Sequence, residues 1–453
     1  MFDVIVIGGG PGGYKTANLL GLRGYNVAMV EKDYVGGICL NRGCIPFKTY
    51  LHTSEIISEA NKYIKAKILN GQDISINQKN LLDQKNIIVD GLRRGITNGL
   101  NACGVKLYEG EALYSGRAGD NYLISVNGEL IEGKKIVIAT GAKDVEMASI
   151  KINGNMKIIT SSEMLELSEV PKRITIVGAG AIGLEAAAYF NEVGSEVSLV
   201  EYREHIGGGI DSDIADALAR IINKKGIDLY VSSTVEEVDD NNVYVKCADG
   251  SRINIDSECV LLAVGRKPNI DEKMLADLNI SYDDNGIKIN DKCQTCDENV
   301  FACGDVTGQL MLAHTAYRQA KVIADTIDGK GCSIDYRYIP KVIYMHPESL
   351  SVGLTEQECI ENGMKYDTRS LPMTYSGKYF ADHGKDGAKV KMIIDEHRRI
   401  IGFHMLANDS SEISLAAELM IANGMSIDDI CNLVYAHPSY SEIIGDVAEL
   451  FNR

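Results

Sequence analysis

Residues 2–31 read FDVIVIGGGPGGYKTANLLGLRGYNVAMVE, and residues 174–201 read ITIVGAGAIGLEAAAYFNEVGSEVSLVE. In the first stretch residues 4–7 form a short continuous apolar run, the pattern of a parallel strand buried on both faces. Gly8, Gly10 and Gly13 follow as G-x-G-x-x-G. A helical stretch then runs from Gly13 to Arg23 with Gly24 as its C-cap, and a second strand, residues 26–30, ends at Glu31. In the second stretch Gly178, Gly180, Gly183, Ala187, Gly194 and Glu201 each lie 170 positions after Gly8, Gly10, Gly13, Ala17, Gly24 and Glu31. A lone glycine triplet would carry little. Strand, glycines, helix, strand and terminal acid, twice in the same order, make the dinucleotide fingerprint.

Each part has a physical reason. Small residues let the backbone approach a pyrophosphate, whose charge is favoured at a helix N-terminus. An acid closing the second strand can accept hydrogen bonds from both hydroxyls of an adenosine ribose, which favours a ribose without a 2′-phosphate. The plain alternative for Glu31 and Glu201 is a solvated strand end, and Arg203, close to Glu201, leaves NADP open beside NAD. Two further runs, KKIVIATGAK around Ala139 to Gly141 and SECVLLAVGRKPN around Ala263 to Gly265, read as the strands that close the two units. Two dinucleotide sites in one chain predict that electrons pass from one cofactor to the other.

The whole chain sets bounds. With 453 residues, two to four domains are expected, and 45% hydrophobic and 24% charged residues suit a globular protein. No apolar run approaches the roughly 20 residues that span a bilayer. A strand starting at Phe2 leaves no room for a leader, so a cytoplasmic protein is expected. The net charge of −17 argues against nucleic acid or an anionic membrane as partner. Eleven cysteines without a secretion signal are expected to be mostly reduced, and a disulfide in that setting is more readily catalytic than structural.

Directly after Glu31 comes KDYVGGICLNRGCIPFKTYLHTSEII, with Cys39 and Cys44 spaced as C-x4-C. Cys44 opens an amphipathic helical stretch, with Pro46 suited to its first turn, so a thiolate there would be stabilised. Spacing alone reads as two ordinary thiols; the position after a nucleotide fingerprint makes a redox pair the better reading.

At these residues the chain resembles the pyridine nucleotide–disulfide oxidoreductases, and within them the dihydrolipoamide dehydrogenase branch. The resemblance runs through GGICLNRGCIPFK, ATG at Ala139, GAGAIGLE at Gly178, FACGDVTGQLMLAHTA at Phe301 and AHPSYSE at Ala436, and so covers essentially the whole chain. It implies FAD in the first unit, held by Gly8, Gly10, Gly13, Glu31, Gly141, Asp305 on the ribityl chain, and the backbones of Ala112 and Ala313. It implies Lys48 paired with Glu185 beside the flavin, where the residues alone suggest a solvated lysine and a helix-surface glutamate. It implies NAD in the second unit, on Gly178, Gly180, Gly183, Glu201 and Gly265. It makes Cys39 the thiol that meets substrate and Cys44 the one that meets flavin.

The resemblance gives His437 a last role, as acid/base entering the active site of a partner subunit and oriented by Glu442. Spacing alone suggests instead a capping box, with Ser439 as N-cap and Glu442 in the first turn. Both can hold together, and the first requires a homodimer. No metal is expected, since the C-x-x-C at Cys293 and Cys296 has no second pair. The implied fold is α/β, with two Rossmann-like dinucleotide-binding domains for FAD and NAD and a C-terminal α+β dimerisation domain. Its expected parts are residues 1–145 (FAD), 146–265 (NAD), 266–335 (returning to FAD) and 336–453 (interface). In the last, LSVGLTEQEC and KVKMIIDEHRRIIGFHML read as strand and hairpin and SEISLAAELMIANG as a helix.

The implied reaction oxidises dihydrolipoyl groups on a separate lipoyl-bearing protein and reduces NAD. The rivals are an NAD(P)H-dependent reductase of low-molecular-weight disulfides, of the glutathione reductase type, mercuric reductase, and a flavoprotein that has lost turnover. Arg42, Phe47, Ala181, Tyr317, Arg318, Gln319 and Tyr435 depart from the residues common in relatives.

Overall fold

The computed structural model describes residues 1–145, 147 and 150–452. The chain divides into two compact units. The first comprises Met1–Thr49, Lys79–Glu146 and Gly265–Tyr336, the second Tyr50–Gln78, Met147–Val264 and Arg337–Arg453. Residue 146, where the NAD part was expected to begin, and residue 453, the last of the expected interface part, lie outside the described residues.

In the first unit the strand Phe2–Ile7 runs parallel between Val27–Glu31 and the long strand Glu129–Ile138, with Lys106–Glu109 beyond Val27–Glu31. Val4, Ile5 and Val6 are fully buried, as a central parallel strand covered on both faces requires. Val300–Ala302 adds a parallel strand to the end of Glu129–Ile138, with Ala302 opposite Ile138. Ile7, Glu31, Ile138 and Ala302 therefore all end at one carboxyl edge, where open α/β sheets bind ligands. Ala112–Ala118 and Asn121–Val126 complete the sheet as an antiparallel meander.

The second unit repeats the scheme. Arg173–Val177 lies parallel between Glu196–Val200 and Cys259–Leu262, flanked by Asp228–Tyr230 and Lys157–Thr160. The C-terminal part is an antiparallel sheet in the order Lys341–Ile343, Ser349–Gly353, Ile400–Leu406, Lys389–Asp395 and Tyr366–Pro372. Helices Ser410–Ala422 and Glu442–Glu449 pack on its core through Ile413, Ala417, Ile443 and Val447. The α/β class, the doubled Rossmann scheme and the α+β C-terminal part stand as read from the sequence.

Local boundaries differ in three places. The first helix is Pro11–Leu22, capped by Arg23, with Gly24 following at φ +85°. The LSVGLTEQEC stretch is strand only to Gly353; Thr355 then caps a helix, Glu356–Glu361, through a capping box with Glu358. The last helix starts at Glu442 with Ser441 as N-cap, not at Ser439. Half of the expected box survives, because the Ser439 N–H donates to Glu442 Oε2 at 2.8 Å.

Candidate active site

The two glycine turns are built alike, and the structure separates the reasons for their glycines. Gly8 and Gly178 have φ of +103° and +101°, and a Cβ on either would run into the carbonyl of Ala139 or Ala263. A Cβ on Gly13 or Gly183 would strike the carbonyl oxygen of Gly8 or Gly178. At these four the turn itself leaves no room for a side chain. Gly10 and Gly180 are different: they are the N-caps of the helices Pro11–Leu22 and Ala181–Glu192 at ordinary φ of −72° and −75°. A Cβ would meet only Gly37 Cα at 3.9 Å in the first case and nothing within 4 Å in the second. Neither helix start has a side-chain cap or an acid in its first turn. Open space beside bare helix N–H groups fits a dinucleotide pyrophosphate.

The two strand-end acids are oriented by the same backbone. Glu31 accepts from Gly9 N at 2.6 Å and Asp33 N at 2.8 Å. Glu201 accepts from Ala179 N at 2.6 Å and Arg203 N at 2.9 Å. Each carboxylate is thus fixed beside its glycine turn, with lone pairs left to accept from a ribose. The Arg203 side chain turns to Tyr202, Nε to hydroxyl 2.7 Å.

Cys39 lies on the short helix Gly37–Arg42, and Cys44 opens the helix Cys44–Lys65, as read from the sequence. The two are not joined in a disulfide, Cys39 being half-buried and Cys44 exposed. The hydrogen bond between the two thiols, together with burial and the nearby Asp305, raises the Cys39 pKa well above the usual thiol range. The segment is pinned by residues the sequence did not single out. Asn41, between the cysteines, donates to the carbonyls of Val35 and Gly37 at 3.2 and 2.8 Å. It accepts from Arg93 Nε and Nη2 at 3.0 and 2.9 Å, and the same guanidinium stacks 4.0 Å over the Tyr34 ring. Arg42 pairs with Asp33.

Asp305 heads the 3₁₀ turn Asp305–Thr307, and burial raises its pKa against the opposing pull of Arg266. The turn is held by Gln319, fully buried, which accepts from Gly304 N at 2.6 Å and donates to Tyr336 OH at 2.9 Å. Cys303 fills the space that a side chain on Gly12 would need, its Sγ 2.8 Å from where a Cβ would stand. Ala112 is buried at the start of its strand, and Ala313 begins the helix Ala313–Ile327, which lacks a side-chain cap. The closing-turn glycines Gly141 and Gly265 have φ of +73° and +107° with nothing within 4 Å of a Cβ. Lys48 sits on the helix one turn after Cys44.

In the second unit Glu185 is buried on the helix Ala181–Glu192 and accepts from Tyr344 N at 3.0 Å. His437 Nδ1 lies 2.6 Å from Glu442 Oε1, and the His437 side chain is 80% exposed. The Ser439 N–H and His437 together hold the Glu442 carboxyl below its ordinary pKa. Of the remaining cysteines, Cys293 is buried and Cys296 donates to Asn279 O at 3.2 Å. Among the described residues no cluster of His, Cys, Asp or Glu could hold a metal ion, and no helix is long and apolar enough to cross a membrane.

Comparison with known proteins covers the chain end to end. The profile of the pyridine nucleotide-disulphide oxidoreductases matches residues 2–320, and that of their dimerisation domain residues 339–448. The dihydrolipoyl dehydrogenase of Staphylococcus aureus is 31% identical over 451 residues, 99% of this chain and 96% of its own. The enzyme of that name from Mycoplasma genitalium is 32% identical over 458 residues, 99% of this chain and 98% of its own. A solved structure, the HOCl-induced flavoprotein disulfide reductase RclA from Escherichia coli, matches at TM-score 0.86 and 26% identity, over 99% of this chain and 100% of its own. With two glycine turns, a contacting thiol pair and this match over its whole length, the chain belongs to the pyridine nucleotide-disulphide oxidoreductase family, FAD-dependent enzymes, and carries that family's dimerisation domain, which supports a homodimer.

Proposed function

We propose that the protein is a dihydrolipoamide dehydrogenase, oxidising the dithiol of dihydrolipoyl groups to the cyclic disulfide while NAD+ is reduced to NADH. The observation that carries the reading is the thiol contact of Cys39 and Cys44 at the head of a helix, in the unit that also holds the Glu31 turn. The names of the relatives favour the lipoyl dithiol over other thiols. The Glu201 carboxylate, held beside the second turn, favours NAD over NADP, whose 2′-phosphate it would repel.

The roles follow from that reading. FAD is held by Gly8, Gly10, Gly13, Glu31, Ala112, Gly141, Asp305 and Ala313, with Lys48 and Glu185 beside it. NAD is held by Gly178, Gly180, Gly183, Glu201 and Gly265. Residues 1–145 and 266–335 make the FAD part, 146–265 the NAD part and 336–453 the interface. When bound, FAD supplies the two-electron link between dithiol and nicotinamide.

The thiol chemistry belongs to the chain's own residues. In the oxidised pair Cys39 and Cys44 share a disulfide. His437 of a second copy takes a proton from the substrate dithiol, and the thiolate attacks Cys39, expelling Cys44 as a thiolate. The second substrate thiol then displaces Cys39, closing the substrate disulfide and leaving both cysteines reduced. Two electrons and one proton end on NADH, and the other proton leaves through His437. Glu442 keeps the imidazole oriented throughout. Such a site needs two copies of the chain, and a lipoyl-bearing protein in the cytoplasm as partner.

Side-by-side turnover of dihydrolipoamide with NAD and of glutathione disulfide with NADPH tests the reading. The first should exceed the second by orders of magnitude; the reverse would assign a low-molecular-weight disulfide reductase. Cys44→Ser should abolish the long-wavelength thiolate–flavin absorbance of the reduced enzyme, and its survival would reverse the roles of the cysteines.

A further inference from the structure

The loop that presents His437 has no helix or strand between Cys431 and Glu442, so side chains must fix its backbone. Three of them do so. The Tyr435 ring lies where a Cβ on Gly445 would come within 2.7 Å of it, and its hydroxyl donates to Ile430 O at 3.1 Å. Ser376 Oγ donates to Ser439 O at 3.1 Å while accepting from Tyr379 N at 3.3 Å, which ties the loop to the start of the helix Gly377–His383. Tyr440 makes the third tie, and it lies between Ser439, whose N–H holds Glu442, and Glu442 itself.

The Tyr440 hydroxyl donates to Asp382 Oδ2 at 2.8 Å, and His383 Nε2 lies 3.0 Å from the same hydroxyl. The Asn408 amide, its nitrogen assigned to face the ring, has Nδ2 3.0 Å from His383 Nδ1. The same Nδ2 lies 3.4 Å from His383 Nε2, so the amide packs against the ring edge that faces Tyr440. Asn408, His383, Tyr440 and Asp382 thus form one connected network. Lys378 holds the far end by pairing with Asp382. The Tyr440 ring meets Tyr379 edge-on at 5.2 Å, which fixes its plane as well as its hydroxyl.

We infer that Tyr440 and His383 are positioning residues for the His437–Glu442 pair, setting the direction in which His437 is presented to a second copy of the chain. The inference rests on the acid/base role proposed above for His437. An imidazole with four-fifths of its side chain in solvent has no packing to hold its aim. Its aim comes from Glu442, and that of Glu442 from the backbone of Ser439 to Ser441, which Ser376 and Tyr440 anchor. Small losses of orientation at a proton-transfer group lower turnover without altering cofactor binding.

The test uses the full-length holoenzyme with Tyr440→Phe, which keeps the ring and removes the hydroxyl, and His383→Gln. Dihydrolipoamide–NAD turnover is compared with NADH-to-quinone turnover, which draws electrons from the flavin without the histidine. The expected result is a fall of about 3- to 10-fold in kcat for the dithiol reaction, the scale of one lost hydrogen bond. Its pH profile should shift, while quinone turnover and KM for NAD stay at the wild-type values. Unchanged dithiol turnover and pH profile in both variants would overturn the inference. So would an equal fall in both reactions, which would mark the network as part of the fold alone. His437→Gln separates this inference from the reading beneath it. If that variant loses dithiol turnover and the other two do not, only the positioning role fails; if it keeps turnover, the acid/base role fails and takes the positioning role with it.

Discussion

His346 Nδ1 lies 3.2 Å from both carboxylate oxygens of Glu192, and its Nε2 lies 3.4 Å from Glu55 Oε2. Burial by itself would push the imidazole pKa down. The two carboxylates outweigh it and raise the pKa to about 9. Glu192, desolvated yet held by His346, Lys225 and Ser54, titrates below its ordinary value. Within the second unit this ties the segment after Lys341–Ile343 to the helix Ala181–Glu192, which also carries Glu185.

A group whose pKa is raised on folding stabilises fully below its unfolded value and loses that contribution as pH rises through the folded one. His346→Gln should therefore cost up to about 3 kcal/mol at pH 6 and little at pH 10. Denaturant midpoints of both proteins across that range check it. A difference that stays constant with pH would show that the cation contributes nothing.

The two kinds of glycine in the turns predict two kinds of failure. Gly8→Ala should impair folding, because the Cβ runs into the Ala139 carbonyl at positive φ. Gly180→Val should fold and keep its flavin, since the turn has room and ordinary φ, yet it should bind NADH at least about 10-fold more weakly. Melting temperature, flavin absorbance and NADH titration separate the outcomes.

Removing the Glu201 carboxylate should loosen nucleotide choice. Glu201→Ala leaves the N–H groups of Ala179 and Arg203 without their acceptor and removes the charge that opposes a 2′-phosphate. We expect kcat/KM for NADH to fall by about 10- to 100-fold, a loss of one to two charge-assisted hydrogen bonds, with NADPH falling less. Equal falls for both nucleotides would remove Glu201 from nucleotide selection.

Gln319→Leu should weaken flavin binding. It takes from the part-buried Gly304 N–H and Tyr336 hydroxyl their Gln319 partner, at about 1 kcal/mol each, and frees the turn that aims Asp305. Release of flavin on dilution, followed by its fluorescence, measures the effect. Flavin retained as tightly as in the wild type would mean that the turn holds itself.

Much of the fold was legible because its cause is local. The apolar residues 4–7, the glycines and Glu31 act within one strand–turn–helix–strand unit, and their repetition 170 residues later exposed the second unit without any knowledge of contacts. The Cys44 helix start was legible for the same reason. The last helix boundary failed where a distant contact competed with a local signal. Ser439 and Glu442 have the spacing of a capping box, but Ser376 holds the Ser439 carbonyl and the helix begins three residues later.

The pairings across long stretches of chain were not legible. Asn41 with Arg93, Gly12 with Cys303, Gly304 with Gln319, Tyr440 with His383 and Glu192 with His346 each join residues whose types are ordinary and whose separation carries no period. For this protein the sequence by itself determined which residue types stand in the turns and the thiol pair, because sterics and helix geometry act over a few residues. Only the tertiary structure decided what holds those residues in place, because that depends on which surfaces meet once the sheets are buried.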